Sequence, residues 1–272
     1  MMIAPLAALH FALAAAAAGL AITATESLWH WARGQYTDRG VWPWRVLREA
    51  YSPGTAAALG PLMGNEGVLL LTVARLAAAL ALIVCVAVGL SPLAPIAVLM
   101  AAQVASQLRM HYGGEGADQM TILVLIAGAV AEVGRAYPGV VVAAALFIGA
   151  QITLSYLASG TAKLLGESWR NATALPKIMN HHTYGSPTLR AMLVRYPAIA
   201  RLLGLGVIAF QVTFWVFYLL PMPWALVYVA GGIAFHAGIA VFMRLNLFLI
   251  TFVGTYPCLL FTHAAVRSWL GL

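Results

Sequence analysis

An all-α, polytopic transmembrane bundle of about eight spans, with two longer amphipathic or polar loops, follows from three observations. The 272-residue chain is 62% hydrophobic and 8% charged, against roughly 25% charged residues in an ordinary soluble domain. Its apolar residues fall in runs close to the roughly 20 that carry a helix across a bilayer. Eight Trp and ten Tyr suit interfacial belts, and 25 Gly with 13 Pro suit close-packed, sometimes broken, membrane helices.

The first run, residues 5–28, is alanine-rich, lacks a positive leader and is long for a signal core, so it reads as a retained helix. Runs at 66–90 and 92–110 are joined by the Pro-marked turn "GLSPLAP"; runs at 119–136 and 139–163 follow. The last three, 201–220, 223–243 and 246–266, include the turn "LLPMPW". Two longer segments, 29–65 and 164–200, are more polar. No short-period repeat or linker interrupts the pattern, so residues 1–272 read as a single domain.

The net charge of +7 is explained by topology rather than by nucleic acid, because no basic stripe interleaved with aromatics occurs. With eight spans, twelve of the fifteen Lys and Arg fall in loops on one side: Arg33, Arg39, Arg45, Arg48, Arg109, Lys163, Arg170, Lys177, Arg190, Arg195, Arg201 and Arg244. Arg135 and Arg267 fall on the other, and Arg75 lies within a span, where it needs an acidic or carbonyl partner. Positive-inside logic then puts both termini outside and the loops 29–65 and 164–200 in the cytoplasm of a bacterial cell membrane. Cys85 and Cys258 form no metal or redox motif, and no nucleotide-binding or nucleophile-elbow pattern is present. Adjacent His181 and His182 cannot share a metal from one helix, so no metal site is expected.

Polar residues inside apolar runs are the candidates for chemistry. In "SYLASGTAKLLGESW", Tyr156, Gly160 and Lys163 stand at i, i+4 and i+7 and share a helix face. A lysine held against that packed seam is partly desolvated and can offer a neutral, proton-accepting amine; the alternative is a lysine snorkelling from a helix end. Upstream, Gln103, Ser106, Gln107 and His111 form a polar stripe running into "HYGGEGADQM", where Glu115 and Asp118 can relay protons or orient a ligand, or Asp118 can simply cap the next helix. Downstream, His236 lies well inside an apolar run, followed by Asn246, Thr251 and Thr255. Such a histidine is either functional or hydrogen-bonded to another helix.

These three segments, in this order, resemble the membrane domain shared by vitamin K-dependent gamma-carboxylases and the bacterial horizontally transferred transmembrane (HTTM) proteins. The likeness rests on Tyr156, Gly160, Lys163, Leu164 and Trp169, on the turn "HYGGEGADQM", and on "FHAGIAVFMRLNLFLITFVGTYP", and is strongest over residues 65–260. In length the chain is similar to the compact sporulation-delaying-toxin maturation type. The resemblance implies that Lys163 corresponds to the base that deprotonates vitamin K hydroquinone and that His111 corresponds to an assisting histidine. The carboxylase's large soluble region has no counterpart before Leu272, so peptide glutamate carboxylation is not expected.

The expected function is therefore membrane-embedded chemistry on a lipid-like quinone or isoprenoid. Lys163 is the expected base; His111, Glu115, Asp118 and His236 are its expected acids or relays; Tyr156, Gln107, Trp215 and Asn246 are the expected substrate contacts. A quinone or hydroquinone is the one cofactor suggested. Two alternatives stand beside it. A protonated Glu115 or Asp118 would start cyclisation of a prenyl chain, with Trp215, Phe214 and Tyr218 stabilising the carbocation. Otherwise the chain is a non-enzymatic partner in the maturation or export of a small secreted peptide, docking a partner protein on its loops.

Overall fold

A computed structural model describes residues 3–109 and 116–272. Among the described residues there is no strand, and eleven helices have nine residues or more. They are α1 (Pro5–Ala32), α2 (Pro53–Met63), α3 (Asn65–Val88), α4 (Leu93–Arg109), α5 (Gly116–Val133), α6 (Pro138–Leu165), α7 (Pro187–Arg195), α8 (Pro197–Val212), α9 (Met222–Met243), α10 (Asn246–Gly254) and α11 (Tyr256–Leu270). The architecture is thus an all-α polytopic helical bundle.

All eight apolar runs reappear as helices, but they differ in reach. Among the described residues six stretches are long and apolar enough to cross a membrane: α1, α3, α5, α6, α9, and α10 with α11 as one run. A seventh results if α7 and α8, bent by 109° at Tyr196, are one broken span. Helix α4 has 17 described residues, or about 25 Å of rise, short of a hydrocarbon core roughly 30 Å thick. The charge argument for sidedness needs all eight spans, so α4 and α8 are the helices on which it turns. The polar segments 29–65 and 164–200 are not plain loops: each is folded into short helical turns, including α2 in the first and α7 in the second.

The chain divides into two compact units, Leu9–Val141 and Met1–Ala8 with Val142–Leu272. In the first, α2 and α3 meet tightly at Gly67, where a Cβ would stand 2.3 Å from the Pro61 carbonyl oxygen. Ser52 caps α2 by accepting from the Thr55 amide at 3.3 Å. Glu132 on α5, its side chain 4% exposed, meets His10 of α1 at 2.5 Å, so a buried carboxylate is neither bare nor paired only with the surface residue Arg135.

In the second unit α6 and α8 meet closely at Gly160. A Cβ there would lie 2.8 Å from both the Gln211 Cβ and the Val212 backbone nitrogen of α8. Only glycine lets those backbones approach this far. After α8 the chain tightens into a 3₁₀ stretch, Phe214–Leu219. Residues three apart nearly eclipse in that geometry, so Phe214 and Phe217 are both fully buried while Trp215 is 50% exposed. A smaller cluster of Met179, Leu193 and Ala200, joined by Leu175, Ile178, Leu189 and Met243, holds the polar segment 164–200 against α9.

A Gly160→Ala substitution is expected to destabilise the fold by about 1–3 kcal/mol, the usual cost of overpacking where backbone must move. Gly206→Ala, whose Cβ meets nothing within 4 Å, is expected to be neutral or slightly stabilising because alanine is the better helix former. Melting midpoints of the two purified variants in one detergent check this, and equal midpoints would contradict the packing argument.

Candidate functional site

The face of α6 that carries Tyr156, Gly160 and Lys163 is the floor of a cavity of about 310 Å³ in the second unit. Helix α8 contributes Val207 and Gln211, α9 contributes Phe235, His236, Ile239 and Met243, and α10 contributes Phe248 and Phe252. Leu175, Ile178 and Met179, from the segment after α6, close one side. The wall is mainly aliphatic and aromatic, as a ligand pocket for a lipophilic molecule requires.

Tyr156 is 2% exposed, and its hydroxyl lies 2.7 Å from His236 Nε2 and 2.9 Å from the Tyr256 hydroxyl. This three-residue chain joins α6, α9 and α11. It can be polarised either way: Nε2 accepts from Tyr156, which accepts from Tyr256, or Nε2–H donates to Tyr156, which donates to Tyr256. The chain fits because Gly232, one turn before His236, leaves room for Tyr256; a Cβ at Gly232 would fall 2.1 Å from its hydroxyl oxygen. The His236 ring is held flat against Phe252, with centroids 4.4 Å apart and planes 20° from parallel. Its Nδ1 has no hydrogen-bond partner among the described residues, nor has Oε1 of Gln211, which is itself 2% exposed. Two buried polar groups on one cavity that are left unsatisfied, at a cost of roughly 1–3 kcal/mol each, are the usual mark of a place for a ligand or water.

Lys163 is half-buried, and its Nζ turns back to donate to Ser159 Oγ at 2.5 Å and lies 5.3 Å from the Trp169 ring centroid. Helical side chains lean toward the N-terminus, so the amine reaches the preceding turn on the cavity wall rather than the end of α6 at Leu165. Among the described residues it has no carboxylate partner. Along the helix Lys163 stands two turns, about 10 Å, from Tyr156, with Ser159 between them and Ser155 beside Tyr156 on the cavity lining.

The structure brings together Lys163, Tyr156 and His236 on this cavity. Asp118 lies in the first turn of α5 in the first unit, and its carboxylate accepts from Gln103 Nε2 at 2.8 Å. Gln107 is half-buried on α4. Trp215 faces outward from the 3₁₀ turn, and Asn246 is exposed at the start of α10; neither lines the cavity. His111 and Glu115 lie outside the described residues. Among the described residues no group of three His, Cys, Asp or Glu could hold a metal. Sequence reasoning missed Gln211 and Tyr256: Gln211 is the single amide in its helix and follows nine apolar residues, a usable signal, whereas Tyr256 reads as one more interfacial aromatic. Comparison with family models, curated proteins and solved structures finds no match to this chain.

Tyr156→Phe is expected to cost about 1–3 kcal/mol, because it strands the buried His236 Nε2 and the Tyr256 hydroxyl. Adding His236→Phe should cost less than the sum of the two single changes, with a coupling of about 0.5–3 kcal/mol. A double-mutant cycle of unfolding free energies in detergent measures this, and strict additivity would show that the hydrogen bond contributes nothing.

Proposed function

We propose that this protein is a multi-pass membrane enzyme that binds a lipophilic molecule bearing a hydroxyl head, a hydroquinone or related isoprenoid, and removes a proton from it with Lys163. The observation that carries the reading is the convergence of one amine, one tyrosine–histidine–tyrosine chain and one unsatisfied amide on a single apolar cavity. The cavity wall suits a fused ring or prenyl chain. Gln211 Oε1 is an acceptor without a donor, which a substrate hydroxyl would supply. In the proposed step the substrate O–H bond breaks, the electron pair stays on oxygen, and the proton passes to the neutral amine of Lys163. When Tyr256 donates to Tyr156 and Tyr156 to His236 Nε2, the imidazole carries its proton on the unpartnered Nδ1, which can stabilise the substrate oxyanion by donating to it, while Tyr156 holds that tautomer.

The resemblance to the gamma-carboxylase and HTTM membrane domain, with Lys163 in the position of the hydroquinone base, adds support from the sequence. The cyclase alternative calls for a carboxylic acid at the cavity, and among the described residues none lines it. The charge distribution over the loops supports an orientation with the Lys163 end of α6 at the cytoplasmic face of a bacterial membrane.

The test uses anaerobic protein in detergent with a naphthohydroquinone as the probe. Saturable quenching of tryptophan fluorescence reports binding, and a red shift of the bound hydroquinone's absorption toward that of its anion reports deprotonation. The parent protein is expected to bind and to show the shift; Lys163→Met is expected to bind within a few-fold and to leave the hydroquinone neutral. Absence of saturable binding to the parent would sink the substrate assignment. An anion spectrum that persists in a well-folded Lys163→Met protein would sink the base.

A further inference from the structure

The first unit holds a second cavity, of about 180 Å³, whose chemistry is the opposite of the first. Two arginines line it. Arg75, in the middle of α3, is 8% exposed, and Arg109, at the end of α4, is 5% exposed. Arg75 donates to Ser27 Oγ at 3.1 Å and to Ser106 Oγ at 3.4 Å. Arg109 donates to the Met63 carbonyl at 3.0 Å and the Trp42 carbonyl at 2.7 Å. All four acceptors are neutral. Neither guanidinium forms an ion pair among the described residues, and Arg75 Nε and Arg109 Nη1 have no hydrogen-bond partner there.

Two fixed positive charges so deeply buried are costly. Guanidinium does not lose its proton in proteins, and an uncompensated buried ion carries an effective penalty of several kcal/mol. Asp118 is the described acid whose charge reaches Arg75; its carboxylate is engaged by Gln103, and among the described residues one negative charge against two leaves the lining positive. The neutral acceptors do something other than compensate charge: they fix both guanidiniums in place. A pair of pre-positioned guanidiniums is the arrangement that recognises planar or tetrahedral oxyanions. The volume matches, being room for about six waters at roughly 30 Å³ each, enough for a phosphate or carboxylate group with some of its hydration. Ser27, Tyr36 and Ser106 on the lining are half-buried, so the cavity is not sealed.

We infer that this cavity is an anion-binding site in which Arg75 and Arg109 together hold a phosphate-type oxyanion, with Ser27 and Ser106, which donate to the Thr23 and Ala102 carbonyls and accept from Arg75, keeping that guanidinium in position. The anion is either free phosphate or the headgroup of an anionic membrane lipid, since both present the same oxygens. The inference is independent of Lys163 and of the hydroquinone reading.

The experiment has two arms on the full chain. In detergent, inorganic phosphate is compared with chloride at equal ionic strength. In nanodiscs of phosphatidylcholine with or without phosphatidylglycerol, native mass spectrometry looks for a retained lipid. A free-anion site predicts a melting midpoint raised by several degrees with phosphate; a headgroup site predicts a phosphatidylglycerol adduct that survives lipid removal. Either effect should fall at least tenfold in apparent affinity in Arg75→Gln and in Arg109→Gln. Should either variant fail to fold, Ser106→Ala, which keeps both charges, is expected to weaken the same effect several-fold. Glu115→Gln is the control for an internal counterion, and phosphate binding seen only in that variant overturns the proposal. So does the absence of both effects in the parent, which would mean that water alone fills the cavity.

Discussion

The second unit depends on one constraint: each buried oxygen or nitrogen atom left without a partner is costly, so the helices take the arrangement that pairs most of them. In an apolar interior an unmade hydrogen bond costs more than a made one returns. Interhelical hydrogen bonds in membranes average about 0.6 kcal/mol, whereas a stranded buried group costs roughly 1–3 kcal/mol. The Tyr156 hydroxyl sits at the centre of that asymmetry. By engaging both His236 and Tyr256 it fixes the rotation of three helices, each of which would strand a polar atom if it turned. The energy gained is modest, and the specificity gained is large, because the alternative registers all carry the penalty.

Glycine makes that meeting possible. Gly232 lets the Tyr256 hydroxyl reach the chain, and Gly160 brings the α8 backbone close enough to set Gln211 beside α6. The same packing leaves the cavity beyond it. Helices drawn together at Gly160 and at the Tyr156 hydroxyl have their aliphatic and aromatic side chains held in place around the gap, and the segment carrying Leu175, Ile178 and Met179 covers one side through its own apolar cluster. A polar group at the cavity surface is therefore pre-positioned rather than free to collapse onto a neighbour, and Lys163 is tethered to Ser159 in the same way.

Much of this was legible in the sequence because the signals are local. Apolar runs near 20 residues give the helices, and an i, i+4, i+7 pattern puts Tyr156, Gly160 and Lys163 on one face whatever surrounds them. His236 stood out because a titratable ring within an apolar run is rare. The partners of these groups were not legible. Whether Tyr156 meets His236 or Gln107 depends on which helices adjoin, and periodicity carries no information on that. Trp215 departs from expectation for a specific reason: the apolar run 201–220 reads as one continuous α-helix, whereas the 3₁₀ turn after Thr213 changes the rotation per residue and sends Phe214 and Phe217 inward instead. The break between α10 and α11 at Thr255 was likewise invisible, although it sets the position of Tyr256.

The choice of cation in each cavity is itself informative. Lysine and arginine cost about the same to bury within a membrane, so a protein needing only positive charge has no reason to separate them. Here the lysine lies on an apolar wall with a serine and a tryptophan, and the two arginines lie together among backbone carbonyls and hydroxyls. Lysine is a point charge on a flexible stem that can give up its proton; arginine keeps its charge and offers a rigid fork of donors. A site built to change protonation state selects the first, and a site built to hold a permanent negative charge selects the second. The two cavities follow that division, which is the chemical reason for assigning proton transfer to one and anion binding to the other.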